Sequence, residues 1–201
     1  MDDDEAKAHA LKKARIKAAK DQLYASKTVE KGLLMVHTGT GKGKSTAAWG
    51  LVMRCLGHGL KVGVVQFVKG RRETGERQFL ARFPDLVTVK VMGEGFTWET
   101  QDKARDIEAA RAAWAEAKAM FEEPSYHLIV LDELNIVLRY DYLDVALVLA
   151  DLAARPPMQH VVATGRNAKP ELIEAADLVT EMTLVKHPFR QGVKGQLGVE
   201  F

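Results

Sequence analysis

The sequence predicts an α/β fold: a parallel sheet covered by helices on both faces, a three-layer sandwich in a single domain organised around a phosphate loop. Three observations predict it. Short continuous apolar runs recur from Leu33 onward and alternate with longer helix-compatible stretches. One such run stops at a burst of glycine, threonine and lysine that opens a helix, and another ends in two carboxylates. Strands that are apolar at every position must be buried on both faces, which is the situation of a parallel sheet between helical layers.

Residues 1–31 come first and differ from the rest. They are rich in alanine, lysine and acids and favour a helix by propensity. Leu11, Ala14, Ile16 and Ala18 make too thin a stripe to anchor one, so a charged helical or flexible arm is expected, able to order over a site or a partner subunit. The phosphate-loop domain then occupies 32–201. Its predicted strands are "LLMV" (33–36), "KVGVVQFV" (61–68), "LVTVKVM" (86–92), "HLIVLD" (127–132), "QHVVATG" (159–165) and "ADLVTEMTLV" (176–185). Its predicted helices are Ser45 to Leu56, with Gly57 as the stop; Gln101 to Phe121, dense in Ala, Arg and Glu and ended near Pro124; and Asp144 to Ala154, ended before Pro156-Pro157. The basic segment "VKGRRETGERQFL" (68–80) reads as either a lid or a solvated loop. The C-terminal "GVKGQLGVEF" (192–201) reads as a short strand or hairpin at the sheet edge.

Composition narrows the function classes. The 201 residues carry a net charge of only +2, too mild to argue for a nucleic-acid partner. No apolar stretch approaches the roughly 18 residues of a membrane span. The acidic start, Asp2 to Glu5, argues against a transit peptide, and no apolar signal core follows it. Cys55 is the single cysteine, so no internal disulfide can form and a reducing cytoplasm is the expected compartment.

The chemistry starts at "TGTGKGKSTAAWG", Thr38 to Gly50. A glycine-rich turn between a strand and a helix aims backbone N–H groups at one spot, and the helix N-terminus adds the positive end of its dipole. Gly39, Gly41 and Gly43 are expected to let the backbone approach an anion without Cβ atoms in the way. Lys44 adds a positive charge, and the Ser45 hydroxyl is placed to ligate Mg²⁺. The usual pattern, G-x-x-x-x-G-K-[ST], needs glycine at position 38, where this chain has Thr38; the first loop glycine comes one residue late and Lys42 is additional. The second half of such a site is "YHLIVLDE", Tyr126 to Glu133, an apolar strand ending in Asp132 and Glu133. A phosphate-loop enzyme needs carboxylates there, on the neighbouring strand, to hold Mg²⁺ directly or through water. These residues alone leave kinase, hydrolase, switch and motor chemistry open.

The wider pattern narrows that choice. "TGTGKGKSTAAWG", "GHGLKVGVVQFVKG", "GFTWETQD", "VLDELNIVLRYDYL", "VVATGR" and "VKHPFRQGVKGQLGVEF", in this order, resemble the RecA-like ATP:corrinoid adenosyltransferases of cobalamin biosynthesis and salvage. The late first glycine and the additional lysine are themselves features of that family. The resemblance implies a RecA-like fold and an ATP held with its ribose 5′ carbon, not its γ-phosphorus, towards the nucleophile. That nucleophile is the Co(I) of cob(I)alamin or another reduced corrinoid. Inorganic triphosphate leaves, so no serine, cysteine or general base is required of the protein. It also implies a homodimer and a flavoprotein reductant.

Matching motifs then assigns residues. Gly39, Thr40, Gly41, Lys42, Gly43, Lys44, Ser45 and Thr46 form the triphosphate loop; Lys42, Lys44 and Glu133 carry the catalytic charge work. Ser45 and Glu133 are the expected Mg²⁺ ligands (Mn²⁺ can substitute), with Asp132 a near alternative or a group that supports the ligands from behind. Arg166, in "ATGR" after a predicted strand, is expected to neutralise phosphate. Phe96 and Trp98 in "GEGFTWET" alternate with Thr97 and so share one side of an extended segment; the resemblance makes them the pair that closes over the corrin and displaces its lower axial ligand. No D-x-H-x-x-G histidine-ligand motif is present in the sequence. Thr40 stands where the family commonly has asparagine, and Ser45 where threonine is usual.

Overall fold

In the computed structural model, which describes residues 3–68, 74–92 and 102–200, the first apolar run becomes strand β1 (Leu34–Thr38), buried at every position. All six predicted runs form strands: β2 (Lys61–Gln66), β3 (Val87–Val91), β4 (Tyr126–Asp132), β5 (His160–Thr164) and β6 (Leu178–Glu181) complete the set. They make one sheet in the order β3-β2-β4-β5-β1-β6, and every pairing in it is parallel. The fold is therefore α/β with a six-stranded parallel sheet. Because the strands are parallel, β1, β2, β4 and β5 all end on the same edge.

Two apolar layers flank this sheet, sorted by the two-residue period of the strands. Along β4, Leu128 and Val130 face a layer built on α2 (Lys44–Gly57), through Ala48, Trp49, Val52 and Leu56. Leu80, the last residue of α3 (Gly75–Leu80), joins that layer. Ile129 and Leu131 face the other layer. There α4 (Lys103–Phe121) contributes Ala110, Ala113, Trp114, Ala117 and Phe121, a helical repeat of apolar positions. Helices α5 (Leu134–Arg139), α6 (Val145–Ala154) and α7 (Pro170–Ala175) complete it with Leu138, Val148, Leu152 and Leu172.

Local signals set the helix ends. Asp102 caps α4, accepting from the N–H groups of Ala104 and Arg105 at 3.1 and 3.2 Å, and Asp144 caps α6 by accepting from Ala146 N–H at 2.8 Å. The stop of α2 falls two residues later than Gly57. Gly57 is its last helical residue, His58 the cap, and Gly59 the left-handed position (φ 68°) that turns the chain towards β2.

Two expectations change. Residues 75–80 of the basic 68–80 segment are helix α3 rather than solvated loop; residues 69–73 lie outside the described set. The C-terminal stretch adds no strand among the described residues. The outermost strand on that side is β6, followed by a 3₁₀ turn at Pro188–Gln191. Gly192 and Gly198 have φ of 75° and 80°, and the N–H groups of Val199 and Glu200 turn back to Gln196 O, which bends the chain out of any ladder.

The chain divides into residues 1–31 and 32–201. In the first unit Asp3–Ala25 form helix α1. Its leucine and isoleucine side chains, Leu11, Ile16 and Leu23, are exposed, and Lys17 pairs with Asp21 one turn on. No helix among the described residues is long and apolar enough to cross a membrane.

Candidate active site

The predicted loop residues, the two carboxylates and Arg166 gather at the edge where β1, β4 and β5 end. The sequence placed the two carboxylates on the strand next to the loop strand. The sheet corrects this: β5 lies between β1 and β4. Asp132 nevertheless reaches across, because it ends β4 with its side chain buried to 1% exposure. Its Oδ1 accepts from Ser45 Oγ–H at 2.7 Å and from Thr164 Oγ1–H at 2.8 Å. Its Oδ2 accepts from Gln66 Nε2–H at 2.9 Å. One carboxylate thus ties together the helix after β1 and the ends of β2 and β5. Thr164, in the strand between, also accepts the Glu133 N–H at 3.0 Å.

Glu133 caps α5 with left-handed backbone, φ 67° and ψ 20°, a conformation costly for a side chain larger than glycine. Its carboxylate lies close to Gly165: a Cβ there would stand 3.2 Å from Glu133 Oε2. The donor set offered to a cation is a serine hydroxyl whose proton is already directed at Asp132, a half-buried glutamate and a buried aspartate. These hard oxygens suit Mg²⁺, which is commonly held by one or two carboxylates and the substrate's own phosphates. No cluster of three or more His, Cys, Asp or Glu suited to a metal occurs among the described residues, so a cation here would depend on phosphate oxygens for the rest of its shell.

The loop itself departs from expectation at two glycines. At Gly39 (φ 95°) and Gly41 an added Cβ would strike Met182 O, at 2.4 and 2.7 Å. The Gly41 N–H donates to that same carbonyl at 2.6 Å. These two glycines therefore seat the loop on the chain leaving β6, and the Gly41 N–H is not aimed at an anion. Gly43 fits the anion reading: its φ is 107°, and a Cβ there would meet nothing within 4 Å. Thr40 and Thr46 are exposed.

Lys44 is the buried cation of the site, 8% exposed, with its Nζ donating to Gly41 O. Burial pushes its pKa below the usual lysine value; Glu133 opposes that shift, while Arg166 and Lys42 add to it. Glu133, Arg166 and Lys42 are thus each close enough to act on Lys44. Lys42 is exposed and pairs with Glu200 at 2.5 Å, a partner the sequence did not suggest. Arg166 is exposed in the turn after β5. Phe96 and Trp98 lie outside the described residues. Cys55 is a half-buried residue of α2, and burial raises its thiol pKa, which disfavours the thiolate a nucleophile needs.

Sequence reasoning missed Thr164, Gln66 and Asn135. Asn135 is fully buried and its Nδ2 donates to Gly165 O at 2.9 Å and His37 O at 3.3 Å. A buried asparagine two residues after the carboxylates was the available signal, since an interior amide must spend its donors on something.

Comparison with known proteins finds a matching family and several similar chains. The family described as ATP:corrinoid adenosyltransferase BtuR/CobO/CobP matches residues 30–201. A corrinoid adenosyltransferase of Pseudomonas aeruginosa is 58% identical over 193 residues, covering 96% of this chain and 95% of the relative. One from a Sinorhizobium species is 55% identical, covering 96% and 91%. The Escherichia coli K12 corrinoid adenosyltransferase is 44% identical, covering 93% and 94%.

Proposed function

The chain belongs to the ATP:corrinoid adenosyltransferase family, and from that membership we propose how its residues carry the reaction. The enzyme transfers the 5′-deoxyadenosyl group of ATP to the cobalt of a corrinoid, in cobalamin synthesis or salvage. The electron pair of substrate Co(I) attacks C5′ of the ribose. A cobalt–carbon bond forms as the C5′–O bond breaks, cobalt becomes formally Co(III), and triphosphate leaves with the electrons of the broken bond. No proton has to move at the reacting carbon, so what the protein supplies is positioning and charge.

The observation that carries this reading is the convergence of Lys44, Lys42 and Arg166 beside the Ser45–Asp132 pair. Three cations at one strand edge suit a polyanion whose charge grows as its bond to carbon breaks. Lys44 stays in the loop and meets the phosphates from beneath; Lys42 and Arg166 meet them from the solvent side. Ser45 and Glu133 would hold Mg²⁺ or Mn²⁺, with Asp132 fixing Ser45 from behind. The cation, when bound, neutralises part of the triphosphate charge. Phe96 and Trp98 close over the corrin face, a flavoprotein supplies the reducing electrons, and the working unit is a cytoplasmic homodimer.

The test is one anaerobic reaction of the purified protein with Mg-ATP and chemically reduced cob(I)alamin. The expected result is a light-sensitive alkylcobalamin spectrum with intact triphosphate as the phosphate product. ADP without cobalt alkylation would mean kinase or hydrolase chemistry instead.

Glu200 gives a second prediction. Its carboxylate holds Lys42 by the ion pair, and the hydrogen bond from Lys42 keeps its pKa below the usual glutamate value, so it is ionised at neutral pH. ATP must take Lys42 from it. Glu200→Gln is therefore expected to lower the KM for ATP by up to about fivefold, the range an exposed ion pair supports, with kcat unchanged. A raised KM in steady-state assays would refute the competition.

A further inference from the structure

The residue that breaks the usual phosphate-loop pattern is Thr38, and its side chain has a defined partner. Thr38 is the last residue of β1 and is buried. Its Oγ1 accepts the backbone N–H of Ala168 at 3.0 Å, while its own carbonyl accepts Met182 N–H at 2.9 Å. A glycine at this position has no side chain to hold Ala168. The N–H so held closes the turn Gly165-Arg166-Asn167, in which Gly165 and Asn167 both have positive φ, 129° and 54°.

The other end of that turn is fixed as tightly. Asn135 Nδ2 donates to Gly165 O and also to His37 O. Gly165 has no room for a Cβ, which would stand 2.9 Å from the Asn135 Cβ. Both fastenings therefore lead back to the end of β1, one through His37 O and one through the Thr38 hydroxyl. Between them lies Arg166, whose charge acts on Lys44.

We propose that Thr38 is a positioning residue for the adenosyl transfer: its hydroxyl, together with the Asn135 amide, clamps the 165–168 turn to the phosphate loop so that Arg166 presents its guanidinium to the departing triphosphate. The inference rests on the reading of Arg166 as a phosphate ligand. A bidentate arginine–phosphate contact is geometrically demanding, and an arginine on a four-residue turn is only as well placed as the turn. The substitution at 38 then has a physical account. It exchanges the freedom of a glycine for a hydroxyl that fastens a second loop.

A double-mutant cycle on the full-length enzyme tests it, with kcat and the KM for ATP measured separately and triphosphate as the product followed. Arg166→Ala alone is expected to lower kcat/KM by about 100-fold. Thr38→Val, which keeps the shape and removes the acceptor, is expected to cost about tenfold, mostly in kcat, and Thr38→Ser to restore it. In the Arg166→Ala background, Thr38→Val is expected to change the rate by less than about twofold. A Thr38→Val loss of equal size in both backgrounds would show that Thr38 acts on the loop alone and would overturn the clamp. So would full activity of Thr38→Val. Should Thr38→Val not fold, Thr38→Ala runs the same cycle with less bulk. Normal turnover of Arg166→Ala would remove both the arginine's role and the clamp, while the triphosphate product would still stand for the overall reaction.

Discussion

Replacing Lys44 by alanine is expected to lower kcat/KM for ATP by about three orders of magnitude, measured by alkylcobalamin formation from pre-reduced cob(I)alamin. Lys44 is the most buried of the three converging cations. A charge held in a partly desolvated site interacts more strongly with a polyanion than the same charge in water. Its Nζ rests on the Gly41 carbonyl, so the charge is held within the loop and needs little reorganisation when triphosphate develops. Near-wild-type turnover of the variant, with its far-ultraviolet circular dichroism intact, would sink the assignment of this loop to triphosphate. The pH profile offers an independent check. Burial, the largest cause, makes the free enzyme's Lys44 release its proton below the usual lysine value of 10.5. The protonated form is the one that attracts ATP, and kcat/KM reports the free enzyme. Hence kcat/KM should be full below the Lys44 pKa and fall as pH rises through it, with that alkaline limb beginning below 10.5. Lys44→Ala should lack the limb.

Much of this site was legible in sequence because its parts are local. Each of the four inner strands β1, β2, β4 and β5 is a short apolar run whose two faces meet two different helical layers, as Leu128 with Val130 and Ile129 with Leu131 show, so both positions of the period are apolar and the run is continuous. The loop and the carboxylate pair are each a few residues long and carry their chemistry in residue type. What was not legible is what depends on partners far along the chain. The place of β5 between β1 and β4 follows from strand order, which no local pattern encodes. Gly39 and Gly41 look like anion-approach glycines, yet their lack of a Cβ answers to Met182, a residue on the far side of the chain. The Lys42–Glu200 pair spans almost the whole phosphate-loop domain. The apolar residues of 192–201 suggested a strand, but local turning at Gly192 and Gly198 overrides a weak β preference.

Asp132→Asn is the other change expected to be severe, and for a different reason. Donors from Ser45, Thr164 and Gln66 meet the carboxylate. An asparagine offers one oxygen and one NH₂ group in place of two oxygens, so the three donors cannot all keep their present arrangement. If the amide oxygen stays with Ser45 and Thr164, the amide nitrogen confronts Gln66, whose own amide can flip to accept. If the amide turns the other way, Ser45 and Thr164 lose their acceptor together. The first orientation preserves the hydrogen bonds but removes a negative charge from behind Ser45. The second costs about 1–3 kcal/mol for each buried donor left unpaired. Either way Ser45 loses the charged anchor that directs its proton inward and its lone pairs towards a cation. The expected result is a fall in kcat of about 100-fold, with a raised Mg²⁺ requirement seen in a metal titration at saturating ATP. Gln66→Ala, which removes a donor without touching Ser45, should cost stability in thermal unfolding and leave the Mg²⁺ requirement unchanged. An Asp132→Asn enzyme with the wild-type Mg²⁺ dependence would mean that the carboxylate serves the fold and not the cation.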